Sequence, residues 1–238
     1  MQNQLDIGGV IGRVWRIYVD QASVLMPAAA VVFVVSGLLS SILAASGSLF
    51  GALLGLVVSL LARTLFTGMV VELVADVQDG RLDSSPGQLL RAATPFIGPL
   101  ILVGLVAGFA IVIGLFLLVV PGLILITIWS VFAPVIVLEQ PPGLGALARS
   151  RELVRGNGWQ VFGVILVLFV GVFLVAGAIE LAAASAGGGA GIAASVIIGV
   201  LTAPLTALAS AVLYFDLRGP SAGASGGTGA GLAGLGLD

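Results

Sequence analysis

The run from Phe96 to Leu138 contains no charged side chain over 43 consecutive residues. As one α-helix this run would be about 64 Å long, roughly twice the thickness of a bilayer's hydrocarbon core. It must therefore fold back on itself, and Pro121-Gly122 is the predicted turn, with Pro121 at the start of the second helix. A chain that contains such a long uncharged run is predicted to span a membrane.

Composition supports the same conclusion, because only 8% of the residues are charged and 59% are apolar. An ordinary soluble domain is about 25% charged, and it needs that surface to cover its core. A formal net charge of −2 gives no basic excess for nucleic acid, and a chain without cysteine forms no disulfide scaffold. The sequence therefore excludes a soluble domain, a nucleic-acid-binding protein and a disulfide scaffold.

Six apolar stretches are long enough, or nearly long enough, to cross a bilayer as helices. They cover Ala22–Ala45, Leu49–Val71, Phe96–Val119, Gly122–Leu138, Val161–Ile179 and Ile192–Phe215. The sequence therefore predicts an all-α polytopic membrane protein with six transmembrane helices arranged as three hairpins.

The nine basic residues, all arginine, fix the predicted orientation. Eight of them lie before span one, between spans two and three, between spans four and five, or after span six, and Arg63 lies inside span two. With six spans those eight face one side, which the positive-inside rule assigns to the cytoplasm. Both termini are then cytoplasmic, and we expect a bacterial plasma membrane.

Three cytoplasmic segments share the pattern G-x-[IL]-x-R, at residues 9–13, 87–91 and 145–149. The pattern predicts a short interfacial helix before each hairpin, and a threefold repeat starting near residues 5, 84 and 142. Apolar residues of these helices (Val10, Ile11, Val14, Leu144, Leu147 and Val154) would lie at the headgroup boundary. The alternative is that membrane proteins generally place Gly and Arg where helices enter the bilayer.

Residues 1–218 thus form one six-helix transmembrane domain. Residues 219–238 are rich in Gly, Ala and Ser and poor in bulky side chains, which predicts a disordered tail.

The segments 137–139 (VLE), 148–163 (ARSRELVRGNGWQVFG) and 213–218 (LYFDLR) carry a family resemblance. Together they resemble the bacterial glycerophosphoryl diester phosphodiesterase membrane domain and its YciC-like relatives, over most of residues 5–218. The resemblance implies a polytopic membrane protein of unestablished role, to which some members add a soluble phosphodiesterase domain with a catalytic histidine. This chain has no histidine, so that activity does not transfer.

The sequence also lacks lysine and cysteine, which removes the usual metal ligands, catalytic bases and Schiff-base amines. We therefore predict a chain that is not an enzyme, with no cofactor, metal site or catalytic residue.

Arg63 is the candidate intramembrane polar site, because a buried arginine costs at least about 2.5–3.5 kcal/mol. It could bind an anion, a lipid headgroup or a carboxylate; alternatively, its side chain snorkels to the cytoplasmic interface. Glu72, Asp76 and Asp79 share one helix face, where they could hold a cation, meet a cytoplasmic arginine such as Arg91 or Arg149, or simply be solvated.

A second set of candidates lies on the cytoplasmic face and could contact lipids or a partner. These are Arg149, Arg151, Glu152, Arg155, Asp216 and Arg218. The spacing of Arg149, Glu152 and Arg155 fits an ion-pair strip on a helix surface equally well. Asp216 could pair with another cytoplasmic arginine.

The predicted function is that of a non-enzymatic membrane protein which organises lipids or partner proteins at the inner face of the membrane. The alternative is a transporter or channel for small solutes or lipids, although the spans carry few polar groups. Expected partners are membrane lipids, with a membrane-protein partner or a second copy of the chain also open, and no nucleic acid.

Overall fold

A computed structural model describes residues 5–78, 86–186 and 190–219. Within these ranges the chain contains no β-strand, and the structure is 90% helical. Six of its helical segments are long and apolar enough to cross a membrane. The predicted all-α, six-span fold class is therefore confirmed.

The described residues form ten α-helices, with one 3₁₀ turn (Thr94–Phe96) before α5. The α-helices are α1 (Ile7–Asp20), α2 (Ala22–Ala44), α3 (Leu49–Gln78), α4 (Pro86–Ala93), α5 (Ile97–Leu117), α6 (Val119–Ile128), α7 (Phe132–Glu139), α8 (Gly145–Val154), α9 (Gly158–Ala186) and α10 (Ala190–Arg218).

The six spans match the predicted stretches closely, and their observed bounds extend several of them. They cover Ala22–Leu43, Leu49–Gln78, Thr94–Leu117, Val119–Glu139, Gly158–Ser185 and Ala193–Arg218. The extensions occur because a helix continues past the apolar run for as long as its backbone hydrogen bonds and packing persist. Span two, for example, continues seven residues beyond Val71.

The turn inside the charge-free run differs slightly from the prediction. Leu118 adopts an extended backbone conformation (φ −156°, ψ 130°), and α6 begins directly after it at Val119. Pro121 therefore sits in the first turn of α6, where its missing N–H would have had no intrahelical partner. Gly122 permits the close return, since a Cβ there would lie 2.4 Å from Cγ of Leu115.

Span four is not one continuous helix. It consists of α6 and α7, separated by a break at Trp129, Ser130 and Val131. The hydroxyl of Ser150, a fully buried residue of α8, donates a 2.9 Å hydrogen bond to the carbonyl of Ile128 at this break. Irregular backbone at membrane depth is tolerated where protein groups satisfy it in this way.

The short helices α1, α4 and α8 precede the pairs α2/α3, α5/α6 and α9/α10, whose members pack against each other. All three copies of the G-x-[IL]-x-R pattern lie on these short helices. The predicted repeat and its exact starting points stay a prediction.

Most of the packed core lies at one end of the bundle. We call it the arginine-bearing end: it comprises α1, α7, α8, the second half of α3 and the last third of α10. Buried core residues from four of these elements include Val14, Phe66, Ile136 and Tyr214. At the opposite end large apolar side chains are exposed, for example Phe116, Leu49 and Leu181. That end presents its surface to lipid.

The prediction that the apolar faces of the interfacial helices rest in the headgroup boundary is wrong for most of the named residues. Val10 and Val14 of α1, and Leu147 and Val154 of α8, are buried within the protein. Only Leu144 is largely exposed, at 49%. The neighbouring ends of the spans offer these faces a protein surface, so the faces pack inward rather than into lipid.

Candidate functional site

A polar cluster lies at the arginine-bearing end, centred on the last residue of α7. Glu139 accepts hydrogen bonds from Nε of Arg149 (2.7 Å) and from Nη2 of the same side chain (3.4 Å). It also accepts a 2.9 Å hydrogen bond from the hydroxyl of Tyr214. A two-point guanidinium–carboxylate contact is among the stronger polar interactions in proteins.

Tyr214 connects this carboxylate to the end of α10. Its side chain is fully buried, and its hydroxyl accepts a 3.3 Å hydrogen bond from Arg218. The Arg218 guanidinium also lies 5.9 Å from the centre of the Tyr214 ring. We call Glu139, Arg149, Tyr214 and Arg218 the Glu139 cluster; it joins α7, α8 and α10.

A second ion pair, between Arg13 and Asp216, joins α1 to α10. The Arg13 side chain is 45% exposed and that of Asp216 is 23% exposed. Water therefore screens the Asp216 carboxylate less than it screens the Arg13 guanidinium. The prediction that Asp216 pairs with another arginine is thus supported, and the partner comes from α1.

The hydrogen bond to Glu139 raises the pKa of Arg149 above its ordinary value, and the weaker contact with Glu152 contributes in the same direction. Arg149 Nη1 lies 3.3 Å from the Glu152 carboxylate, one helical turn away, and the Glu152 side chain is 68% exposed. The predicted ion-pair strip is present between these two residues. Its principal carboxylate, however, is Glu139 from another helix.

Four predicted residues therefore form polar contacts with other side chains of the protein: Arg149, Glu152, Asp216 and Arg218. Glu139 and Tyr214 are absent from the sequence-based site prediction. A signal for Glu139 does exist, because it is the sole charged residue between Arg91 and Arg149. A single carboxylate at the end of an apolar span is a candidate for pairing with a cation.

Arg16, Arg151 and Arg155 are different, since all three are exposed and none forms an ion pair with any residue in the described ranges. Two exposed tryptophans accompany them in sequence: Trp15 (59% exposed) precedes Arg16, and Trp159 (82% exposed) follows Arg155 by four residues. Arginine beside exposed tryptophan is typical of a membrane–water interface.

Arg63 is exposed on the side of α3 and has no ion pair within the described part of the chain. Its backbone carbonyl accepts a 2.9 Å hydrogen bond from the Thr67 hydroxyl. Arg63 lies 14 residues beyond Leu49, a rise of about 21 Å, which leaves about 9 Å to the far edge of a 30 Å core. This depth and exposure favour snorkelling toward the arginine-bearing end.

The break in span four borders a cavity of about 250 Å³ between α6, α9 and α10. Its walls are mainly apolar, with hydroxyls from Ser130, Thr206 and Ser210. The hydroxyls of Thr206 and Ser210 bond backbone carbonyls of their own helix, whereas the buried hydroxyl of Ser130 has no hydrogen-bond partner.

Of the acidic face predicted at the end of span two, Glu72 and Asp76 are described and Asp79 lies outside the described residues. Within the described ranges no group of three His, Cys, Asp or Glu side chains is placed to hold a metal ion. Arg149, one suggested partner for this face, pairs with Glu139 and Glu152 instead. The predicted tail also lies outside the described residues, apart from Gly219.

The six spans define the class of this chain: it is a multi-pass, all-α membrane protein. The chain belongs to the family described as Domain of unknown function (DUF8558), whose model matches residues 21–217. No curated protein and no solved structure matches the chain. The family match covers all six spans except the last residue of span six, Arg218.

Proposed function

We propose that this chain is a non-enzymatic membrane protein that organises lipids or partner proteins at the inner face of a bacterial plasma membrane. In this proposal the arginine-bearing end faces the cytoplasm, as the positive-inside rule requires, and both termini lie on that side. The resemblance to the phosphodiesterase membrane domain family is part of the proposal and brings no catalysis with it.

The unpaired arginines carry the proposal. Arg13, Arg149 and Arg218 already have partners within the protein, so they add little attraction for an external anion. Arg16, Arg151 and Arg155 are left to face the surroundings, next to Trp15 and Trp159. Each arginine near an anionic leaflet contributes about 1 kcal/mol of attraction, and tryptophan prefers the headgroup level.

The proposal names two kinds of binding partner, lipids and proteins, and anionic lipid is favoured over a partner protein. Trp159 is exposed at the first turn of a transmembrane span, where a lipid headgroup is the immediate neighbour. An acidic partner protein would instead bind from the aqueous side, away from Trp159.

The test is the headgroup composition of lipids that co-purify with the full chain in polymer-bounded native nanodiscs. We expect anionic lipids to be enriched over the bulk membrane, and the enrichment to be lost in Arg16→Gln/Arg151→Gln/Arg155→Gln. A triple variant that removes exposed acidic charge, Asp20→Asn/Glu152→Gln/Glu180→Gln, is the control and should keep it. Wild-type protein with the bulk composition would refute the lipid role.

A transporter or channel is the second candidate function, and the cavity at the broken span four favours it. Broken helices and unpartnered polar groups at membrane depth are features of solute sites in transporters. Solute flux into vesicles that falls on Ser130→Ala, while Ser185→Ala has no effect, would support transport. Absence of flux above protein-free vesicles would argue against it.

A further inference from the structure

An apolar groove of about 420 Å³ runs between α6 and the first turns of α9. One face of α6, from Val120 to Ile128, forms one wall, and Gly158, Trp159 and Phe162 of α9 form the other. The α6 face is about 12 Å long at 1.5 Å per residue. Its open side is directed to the surroundings, because Ile124 and Trp159 are 53% and 82% exposed.

The end of the groove at Gly158 is electropositive. Arg155 caps the C-terminus of α8 and is three residues from Gly158, so their Cα atoms are at most about 11 Å apart. Arg151 lies one turn earlier on α8, and neither arginine has an ion pair within the described residues. The start of α9 adds the positive end of its helix dipole.

We propose that this groove binds one acyl chain of an anionic phospholipid, whose phosphate is held by Arg155 at the groove's mouth. The proposal rests on the proposed function and gives it a defined site. An apolar channel that ends at unpaired cationic charge is complementary to a lipid with an anionic headgroup and a hydrocarbon chain. A zwitterionic lipid would place its own cation next to Arg155.

Trp159 lies in the wall of the groove and so provides a direct probe. The chain has three tryptophans, and the variant Trp15→Phe/Trp129→Phe retains Trp159 alone. We expect phosphatidylglycerol with brominated chains to quench Trp159 more strongly than brominated phosphatidylcholine at equal mole fraction. Arg155→Gln should lower the relative affinity for phosphatidylglycerol about fivefold, the attraction expected of one arginine.

A matched control variant tests the location. Arg16→Gln removes an equally unpaired cation from α1 and should leave quenching of Trp159 unchanged. Quenching by phosphatidylglycerol and phosphatidylcholine to the same extent, or an equal effect of Arg16→Gln, would overturn the proposal.

Native mass spectrometry of the chain with its own tryptophans gives a second measurement that does not depend on the Trp129 substitution. Ile124→Trp, which fills the groove, should reduce the tightly retained phosphatidylglycerol by one molecule. Ile113→Trp, at an exposed position of α5 outside the groove, should retain the full number. If Ile124→Trp retained as many phosphatidylglycerol molecules as the wild type, the acyl chain would not lie between α6 and α9.

Failure of the groove and failure of the proposed function give different results. If co-purified lipids are enriched in anionic headgroups while Arg155→Gln and Ile124→Trp behave as wild type, only the groove assignment is wrong. If the wild-type chain shows no enrichment at all, the proposed lipid role itself is wrong.

Discussion

Glu139 and Glu152 bind the same guanidinium in very different surroundings. The Glu139 side chain is 20% exposed and also accepts a hydrogen bond from the buried Tyr214, whereas the Glu152 side chain is 68% exposed. Exposed ion pairs contribute about 0–1 kcal/mol, because water screens the charges. Removing the less exposed carboxylate of the Glu139–Arg149 pair costs more, because the Arg149 and Tyr214 groups that bond it are left unsatisfied.

We therefore expect Glu139→Gln to destabilise the protein by about 1–3 kcal/mol, and Glu152→Gln by less than about 1 kcal/mol. The measurement is the thermal unfolding midpoint of each purified variant in the same mild detergent. Both substitutions remove a carboxylate from the same arginine, so the difference reports the lower exposure of Glu139 and its additional hydrogen bonds. Equal midpoints for the two variants would contradict the assignment of Glu139 as the centre of the cluster.

At the scale of single elements, the hairpin of α2 and α3 shows where glycine spacing has structural meaning. A Cβ on Gly51 would lie 2.3 Å from the backbone carbonyl oxygen of Leu43, and the Ser40 hydroxyl donates a 2.9 Å hydrogen bond to the carbonyl of Gly55. Small residues there allow the two helices to approach closely. Gly104 and Gly108 have the same spacing, but a Cβ at Gly108 would meet nothing within 4 Å.

Two alanine substitutions should accordingly differ in their effect on stability. Gly51→Ala creates a clash with backbone that cannot rotate away, and we expect a loss of about 1–3 kcal/mol. Gly108→Ala enters open space in a helix interior and should be neutral or stabilising by up to about 1 kcal/mol, from helix propensity. The thermal unfolding midpoint of each variant in the same mild detergent measures both effects. A lower midpoint for Gly108→Ala would mean that α5 packs against another surface at that face.

Among the elements, the spans could be predicted from sequence and the contacts of the short helices could not. Span bounds follow from long apolar runs, because an unpaired backbone is too costly in lipid. For α1 and α8, an apolar stripe indicates only that one face is covered. The stripe does not distinguish lipid from protein, and Val10 and Val154 pack against protein.

The whole molecule is tightly packed at one end and largely exposed at the other. Span five illustrates the contrast: Val161 and Val164 near its start are buried, whereas Phe173 and Leu174 further along are 66% and 65% exposed. This distribution suits a bundle whose shape is fixed at the arginine-bearing end and solvated by acyl chains elsewhere. The Glu139 cluster and the Arg13–Asp216 pair lie in the fixed part.

The topology proposed for the whole chain can be tested directly, because the chain has no cysteine of its own. Gly12→Cys and Gly87→Cys are placed before the first and second hairpins, where an added Cβ meets nothing within 4 Å. Ser48→Cys and Ser185→Cys are exposed at the opposite turns. On intact bacterial cells a membrane-impermeant maleimide should label only the serine positions.

After permeabilisation all four positions should react, which serves as the control for folding and expression. Labelling of Gly12→Cys and Ser48→Cys from the same side of the membrane would contradict six spans in this arrangement.

The sequence alone determines that the chain is helical, that six segments are fit to cross a bilayer, and where the charges lie along it. These properties depend on the cost of burying charge and unpaired backbone in hydrocarbon, which each segment pays independently of its neighbours. Only the tertiary structure decides that Glu139 meets Arg149 and Tyr214, that Asp216 meets Arg13, and that span four breaks at Ser130. Those contacts join helices distant in sequence, so they depend on how the faces of separate elements fit together, and local periodicity contains no record of that fit.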